Sequence, residues 1–237
     1  MKQHYPRCTS CESEARSVFC VLAGAHLERI EREKTVHEYQ RGEAVFYAGN
    51  PPLAIFCIYS GCVKLLKVGR KGEEQVIRLL GAGEILGYRA LLSNESYAAT
   101  AEALEPTTIC MISKSTLMSL IRKSPDLAFQ LMAKLGHELR VSEEQLVSRT
   151  EDTVRERVAQ LLLWLSDSTG IDVVPGTELH VPLKRAEMAQ MIGTTPETLS
   201  RTLKLFAERK TIELTRSTIR ILDPAALGRH AKNWQAL

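Results

Sequence analysis

The stretch VPLKRAEMAQMIGTTPETLSRTLKLFAERKTIEL, residues 181–214, decides the fold of the second half of the chain. Its first part predicts a helix over about residues 184–192, with an inner face formed by Met188, Ala189 and Ile192. Gly193 follows, and glycine adopts the positive φ of a turn without steric strain. Thr195 can cap a second helix, and Pro196 suits its first position. The spacing therefore predicts a helix-turn-helix.

The second helix has one apolar stripe and one polar face. Leu199, Leu203 and Phe206 form the stripe, which leaves four residues outside: Glu197, Ser200, Arg201 and Lys204. Arginine can donate two hydrogen bonds to guanine, glutamate can accept from cytosine, and serine can reach a base edge. The first half of such a helix enters the major groove, whereas Thr194, Thr195 and Lys204 are better placed for phosphates.

A simpler interpretation of this face is an exposed helix with an i, i+4 ion pair between Glu197 and Arg201. The order of helix, turn, capped helix and then the hairpin pattern TIELTRSTIRILD, residues 211–223, favours DNA binding instead. Charge points the same way. Residues 184–220 hold eight basic and four acidic side chains, a balance of +4, whereas the whole chain carries +3.

The first half of the chain has a different pattern. Residues 21–33 predict a short helix. Residues 34–112 then alternate glycines with β-favouring runs such as AIFCIYS and CVKLLKV, which predicts an all-β barrel or roll. Helical periodicity takes over in residues 113–149, with Pro125 well placed to begin a long helix. We therefore expect an α+β protein.

The long helix carries a heptad-like apolar seam. Met132, Leu139 and Leu146 recur every seven residues, with Leu135 between the first two and the polar Ser142 interrupting the seam. A helix packed on its own barrel needs a similar stripe, but the seam is narrow and flanked by charges, which favours a homodimer interface.

Composition excludes several classes of protein. The chain has 237 residues and an apolar fraction of 44%, enough for buried cores. Since it lacks both an apolar run of bilayer length and a signal-peptide pattern, we expect a cytoplasmic protein without membrane contact. Six cysteines in such a protein suggest metal binding or redox chemistry. Catalytic glycine-loop, HExxH and GxSxG motifs are missing, so we expect no enzyme.

These features together resemble the Crp/Fnr superfamily from about residue 20 to 225. The resemblance is carried by RGEAVFYAGN, IYSGCVKLLK, GAGEILGY, the long helix and ETLSR. It implies a cysteine-bearing arm in residues 1–20, a β-roll sensor domain in 21–124, a dimerisation helix in 125–150 and a winged helix-turn-helix in 151–237. It also implies double-stranded DNA with a palindromic site and RNA polymerase as partners.

Members that bind cAMP hold the ribose and phosphate with a glutamate and an Arg–Ser pair. This sequence has Tyr88 at the glutamate position, and Ala98 and Ala99 at the Arg–Ser positions. Because a buried phosphate without an arginine partner is costly, no cAMP is expected.

The resemblance is greater to the FNR branch, whose oxygen sensors hold a [4Fe–4S] cluster with three N-terminal cysteines and one late in the roll. It implies Cys8, Cys11, Cys20 and Cys110 as ligands. The gap between Cys11 and Cys20 is longer than in the best-known pattern. Cys57 is interpreted as buried packing and Cys62 as an ordinary strand residue, with both as reserve ligands.

Three alternatives remain open for the signal. The cysteines could hold structural zinc, or act by thiol oxidation through pairs among Cys8, Cys11 and Cys20. A haem could instead use a cysteine or one of the histidines His26, His37 and His137. Oxygen, nitric oxide and redox state all remain possible signals.

The recognition pattern also resembles the FNR branch. There, E-x-x-S-R goes with TTGAT-type half-sites in a palindrome, and this chain has Glu197, Ser200 and Arg201 in that pattern. The cAMP-binding members have an arginine before the glutamate, where this chain has Pro196. The hypothesis is that the cluster orders the arm and favours the DNA-binding dimer, and that loss of the cluster loosens it.

Overall fold

The computed structural model describes residues 7–8, 17–69, 72–168, 173–215 and 218–231, with the backbone alone for residues 20, 149–150 and 167–168. The chain divides into two compact units, Met1–Glu138 and Leu139–Leu237. Across the described residues, none of the helices combines the length and apolar character that crossing a bilayer requires.

Two four-stranded antiparallel sheets form the roll of the first unit. One has the strand order β1-β8-β3-β6 and the other β2-β7-β4-β5. The strands are β1 Thr35–Tyr39, β2 Ala44–Phe46, β3 Ala54–Ser60, β4 Val63–Val68, β5 Glu74–Leu80, β6 Ile85–Leu86, β7 Thr100–Ala103 and β8 Thr107–Ser113. Gly61 joins β3 to β4 at φ 91°, where a Cβ atom would lie 2.7 Å from the Pro106 carbonyl oxygen. The predicted roll of glycine-punctuated strands is confirmed.

Helices precede and follow the roll in the sequence, and one short helix, α2, lies between β6 and β7. They are a 3-10 helix at Val18–Val21, α1 Ala25–Glu33, α2 Tyr88–Ser93, α3 Lys114–Lys123 and α4 Pro125–Glu151. The predicted start of the long helix at Pro125 is confirmed. With 27 residues, α4 is about 40 Å long.

Two hydrophobic cores lie on opposite faces of the first sheet. The roll core contains Phe56, Ile58 and Ile109 together with residues of the second sheet. The helical core contains Ile55 and Ile112 of the same strands, packed with residues of the 3-10 helix, α1, α3 and α4. Successive side chains of β3 and β8 thus alternate between the two cores, as the two-residue period of a strand requires.

The two faces of α4 differ in burial. Leu127 and Leu131 are fully buried in the helical core, and Leu135 is partly buried against it. The exposed face carries large apolar side chains with exposures of 53–64%: Phe129, Met132, Leu139, Leu146 and Val147. Ser142 is exposed as well. Leu135 therefore differs from the other predicted seam residues, because it already contacts the core of its own chain.

The second unit is a helical domain with a small sheet. Its elements are α5 Val154–Ser168, β9 Thr177–His180, α6 Arg185–Met191, α7 Pro196–Glu208, β10 Ile212–Leu214, β11 Thr218–Ile221 and α8 Pro224–His230. The sheet is antiparallel in the order β10-β11-β9. The predicted helix-turn-helix is α6–α7, and the predicted hairpin is β10–β11, so this part of the fold is confirmed.

Local signals fix the helix ends in this unit. The Thr153 N–H donates to Glu156 Oε2 at 2.6 Å, and the Glu156 N–H donates to Thr153 Oγ1 at 3.4 Å, which forms a capping box at the start of α5. Thr195 caps α7, its hydroxyl oxygen accepting from the Thr198 N–H at 3.3 Å, and Pro196 is the first residue of that helix. Gly193 adopts φ 63° between α6 and α7.

Candidate nucleic-acid interface and thiol site

The recognition helix α7 has the two faces that its sequence predicts. Leu199, Leu203 and Phe206 are at most 1% exposed and anchor the helix in the core of the second unit. The opposite face leaves four side chains exposed: Glu197, Ser200, Arg201 and Lys204. Buried anchors on one face hold the polar face in a fixed orientation, as base reading requires.

Glu197 lies in the first turn of α7, where its charge is favoured. Hydrogen bonds from its own backbone N–H and from Thr195 lower the pKa of the Glu197 carboxyl. The side chain is thus ionised at neutral pH, which keeps it an acceptor for a base amino group.

Arg201 and Lys204 keep donors available on the same face. An Arg201 Nη donates to Thr198 Oγ1 at 3.2 Å, a contact that leaves further N–H groups of the guanidinium to donate. The Lys204 side chain is 77% exposed, and its ammonium lies 3.9 Å from Glu208. The two cations are therefore able to contact a base and a phosphate.

The wing hairpin shows one basic residue in a different role. Arg220 of β11 lies opposite Glu178 of β9 and opposite Glu213 of β10. Its guanidinium donates to Glu178 Oε1 at 3.0 Å and to Glu213 Oε2 at 2.8 Å. Arg220 is one of the eight basic residues that we expected to favour phosphate contact, but the sheet register pairs it with two carboxylates. Arg216 lies outside the described residues.

Cys8 is held beside α1 by a carboxylate and an ammonium. Its backbone N–H donates to Glu31 Oε2 at 2.6 Å, and Lys34 Nζ donates to Cys8 Sγ at 3.3 Å and to Glu31 Oε2 at 3.0 Å. The thiol packs against the helical core, and burial raises its pKa to about 11.

Lys34 connects Cys8 to the roll. Its side chain is 5% exposed. Burial opposes its charge, but hydrogen bonds to Glu31 and Cys8, and the charges of Cys8 and Cys110, raise the pKa of the Lys34 ammonium overall. Val36 of β1, two residues after Lys34, lies opposite Cys110. The Lys34 ammonium lowers the pKa of Cys8, but burial outweighs it and keeps the thiol protonated at neutral pH. A bound metal would supply the further positive charge that a thiolate needs there.

Cys110 has a second cysteine directly beside it. In the antiparallel pair β3–β8, Cys57 lies opposite Cys110, whose other neighbour is Val36 of β1. Cys57 and Cys110 are both partly buried. From the sequence, Cys57 is expected to be a buried packing residue. No local pattern shows that it pairs with Cys110, because the two residues are 53 positions apart. Cys62 precedes β4, in the other sheet, and burial raises the pKa of its thiol to about 12.

The four predicted ligands are only partly described. Cys11 lies outside the described residues, and of Cys20 only the backbone, in the 3-10 helix, is described. Within the described part of the chain, no three His, Cys, Asp or Glu side chains are grouped so as to hold a metal ion. Cys8 and Cys110 are soft sulfur donors of the kind that an iron–sulfur cluster takes, and the Lys34 ammonium lies beside Cys8.

A cavity of about 540 Å³ opens in the roll and is bounded partly by α4. Its lining includes Tyr88, Ala98 and Ala99, the positions that sequence analysis compared with the cAMP site. In its wall, one Arg78 Nη lies 2.7 Å from Glu138 Oε1 of α4, and the other Nη lies 3.3 Å from Glu84 Oε1. The sequence does not show the pairing of Arg78 with Glu138, because the two residues are 60 positions apart.

The fold combines a β-roll domain with a winged helix-turn-helix. Residues 36–124 match the cyclic nucleotide-binding domain, and residues 156–230 match the Crp-like helix-turn-helix domain. The cyclic AMP receptor protein of Thermus thermophilus is 31% identical over 80% of this chain and 84% of its own. The fumarate and nitrate reduction regulatory protein of Yersinia pestis is 29% identical over 86% of this chain and 80% of its own.

Solved structures agree on the fold. The structure of FixK2 from Bradyrhizobium japonicum has a TM-score of 0.75 and 23% identity, over 85% of this chain and 99% of that one. The chain belongs to the Crp/Fnr superfamily of transcription regulators.

Proposed function

We propose that this transcription regulator senses oxygen or redox state through a [4Fe–4S] cluster held by Cys8, Cys11, Cys20 and Cys110. The observation that carries the proposal is the hydrogen bond to Cys8 Sγ from the buried ammonium of Lys34, two residues before Val36, which lies opposite Cys110. An ammonium beside Cys8 would offset part of the negative charge of the thiolates once a bound cluster deprotonates them.

The roll cavity supports a signal other than cAMP. Tyr88, Ala98 and Ala99 offer no cation to a phosphate. The guanidinium of Arg78 is already matched by the carboxylates of Glu138 and Glu84. The other cations of the lining, Lys67 and Arg89, are exposed to solvent. A cyclic phosphate buried in this cavity would therefore have to displace a carboxylate from Arg78, which is costly.

The arm is connected to the long helix through one core. Glu31 and Lys34, which hold Cys8, lie at the end of α1. Ile30 of the same helix packs in the helical core with Leu127 and Leu131 of α4. A bound cluster would supply the reaction with oxygen or nitric oxide that ends thiolate ligation. Release of Cys8 would then remove contacts from the core that supports the first half of α4.

DNA binding by a dimer completes the proposal. Glu197, Ser200 and Arg201 read bases of a TTGAT-like palindrome, while Thr194, Thr195 and Lys204 contact phosphates. The exposed apolar face of α4, with Met132, Leu139 and Leu146, pairs two copies so that their recognition helices reach successive major grooves. Ser142 interrupts this face and Leu135 borders it.

The test is anaerobic purification followed by visible absorption spectra and by iron, sulfide and zinc analysis, before and after exposure to air. Iron and sulfide in equal amounts, lost in air together with operator binding, are expected. Cys110→Ala should lack both metal and oxygen response, whereas the matched variant Cys62→Ala should behave as the wild type.

Three results would contradict the sensor part of the proposal. A colourless protein with stoichiometric zinc would make the cysteines structural. A sharp Soret band would indicate haem. Normal oxygen-responsive DNA binding by Cys110→Ala would exclude the ligand set.

A further inference from the structure

Cys57 has no role in the proposed function, but it lies beside a proposed cluster ligand. The register of β3 and β8 sets it directly opposite Cys110, between the matched pairs Phe56–Met111 and Ile58–Ile109. Directly opposed residues of an antiparallel pair have Cα atoms about 4.5 to 5.5 Å apart. A disulfide spans Cα distances of about 4.4 to 6.8 Å, so the backbone spacing already allows one.

The two side chains also share a face of the sheet. Ile55 and Cys57 of β3 contact the helical core, whereas Phe56 and Ile58 contact the roll core. Because opposed residues of an antiparallel pair point to the same side, Cys110 lies on the helical-core face with Cys57. Their Cβ atoms are expected about 4.5 to 5.5 Å apart, and a disulfide needs about 3.5 to 4.5 Å. A shift of about 1 Å is therefore enough.

The strand pair can accommodate this shift, and small molecules can reach it. The ladder is irregular between Ile58 and Ser60, immediately beyond Cys57, and such irregularities add local twist. Both thiols are partly buried rather than enclosed. A peroxide can therefore reach the pair, while neighbouring side chains keep the two sulfur atoms together.

We propose that Cys57 is the resolving thiol of Cys110: when a peroxide oxidises Cys110, Cys57 captures it as a reversible cross-strand disulfide. The pairing follows from strand register and needs no metal. A regulatory role of this disulfide rests on the proposed function, in which Cys110 must be reduced to bind the cluster.

The chemistry takes two steps. The Cys110 thiol loses its proton, and the thiolate attacks a peroxide oxygen. The O–O bond breaks, a sulfenic acid forms, and the leaving hydroxide takes the Cys110 proton as one molecule of water. The Cys57 sulfur then attacks the Cys110 sulfur, the S–O bond breaks, and the leaving hydroxide takes the Cys57 proton as a second water. Two thiols lose two electrons, and one hydrogen peroxide becomes two waters.

The consequence is protection of Cys110. A sulfenic acid that meets no thiol proceeds to sulfinic acid, which thiol reductants do not reverse. When a disulfide forms instead, the oxidation of Cys110 goes no further, and dithiothreitol reduces the disulfide back to two thiols. With Cys57 present, oxidation would therefore prevent Cys110 from binding the cluster only until the disulfide is reduced.

The experiment treats the full-length, chelator-stripped protein with hydrogen peroxide and maps its tryptic peptides. Cys57 and Cys62 fall together on the fragment 42–64, Cys110 on 90–114, Cys8 and Cys11 on 8–16, and Cys20 on 17–29. The expected product links fragments 42–64 and 90–114 and is lost on reduction. Cys62→Ala, altered in the same fragment, should give the same link.

The variant Cys57→Ala tests whether Cys57, rather than the accessibility of Cys110 alone, makes the oxidation of Cys110 reversible. It should form no such link, and Cys110 should instead gain two oxygen atoms that dithiothreitol does not remove. Full recovery of the Cys110 thiol in Cys57→Ala would overturn the proposal. A link from Cys110 to fragment 8–16 or 17–29, or a link that survives in Cys57→Ala through Cys62, would overturn it as well. Since the protein is metal-free throughout, failure of the iron–sulfur assignment would leave these outcomes unchanged.

Discussion

Arg78 of β5 and Glu138 of α4 form an ion pair of 2.7 Å in which the carboxylate side chain is only 8% exposed. Lys134 adds a second, more distant cation 3.6 Å from the same carboxylate. The pair ties the roll to the long helix at the wall of the cavity. Burial and the charge of Glu138 also raise the pKa of the neighbouring Tyr88 phenol, which therefore stays protonated.

Replacing Glu138→Gln should lower the free energy of unfolding by about 1 to 3 kcal/mol, because Arg78 loses the nearer and more buried of its two charge partners. Urea denaturation measures this change. The control is Glu144→Gln, which breaks the exposed pair with Arg140 on the same helix. That variant should change stability by less than about 0.5 kcal/mol. Equal effects of the two variants would show that the Arg78–Glu138 pair does not hold α4 on the roll.

Arg201→Ala should weaken binding to a TTGAT palindrome by roughly 10- to 100-fold and reduce discrimination at one base pair, since a bidentate base contact is lost. Lys204→Ala should instead weaken binding to all sequences and lower the salt slope by about 1. Titrations at several salt concentrations distinguish the two. Arg209→Ala, at the far end of α7, serves as the control and should bind normally. If Arg201→Ala weakened all sequences equally, Arg201 would be a phosphate contact.

Leu139→Glu should shift the protein from dimer to monomer, because it places a carboxylate on the exposed apolar face of α4. Sedimentation velocity over a concentration series measures the shift. Leu53→Glu changes a leucine that is 72% exposed and lies just before β3, so it should leave the dimer intact. A dimer that persists in Leu139→Glu would argue against the α4 seam.

The Cys62 thiol should react slowly with alkylating reagents. Its folded pKa of about 12 exceeds the ordinary value of 9.0 because of burial, and only the thiolate reacts. At pH 9 the folded protein should therefore react roughly a hundredfold or more slowly than the unfolded protein. Because the folded pKa is the higher one, the buried Cys62 thiol destabilises the folded state when it ionises. The free energy of unfolding should therefore be unaffected by Cys62 below pH 9 and should fall as the pH rises toward 12.

Alkylation of fragment 42–64 in the Cys57→Ala background isolates Cys62 and measures its rate against pH, with and without urea. A half-maximal rate near pH 9 in the folded protein would contradict the burial of this thiol.

The sequence by itself determined the features that depend on near neighbours along the chain. The Thr195 cap, the Gly193 turn and Pro196 define the helix-turn-helix because capping and positive φ are local properties. The glycine-punctuated strands and the start of α4 at Pro125 follow from similar local signals.

The tertiary structure alone decided which distant residues meet. Cys57 lies opposite Cys110, Arg78 pairs with Glu138, and Arg220 is matched by Glu178 rather than left for a phosphate. Leu135 likewise turned out to pack on its own core. These contacts depend on strand register and helix rotation. Both are set by how complete side-chain faces pack together, so no short stretch of sequence contains them.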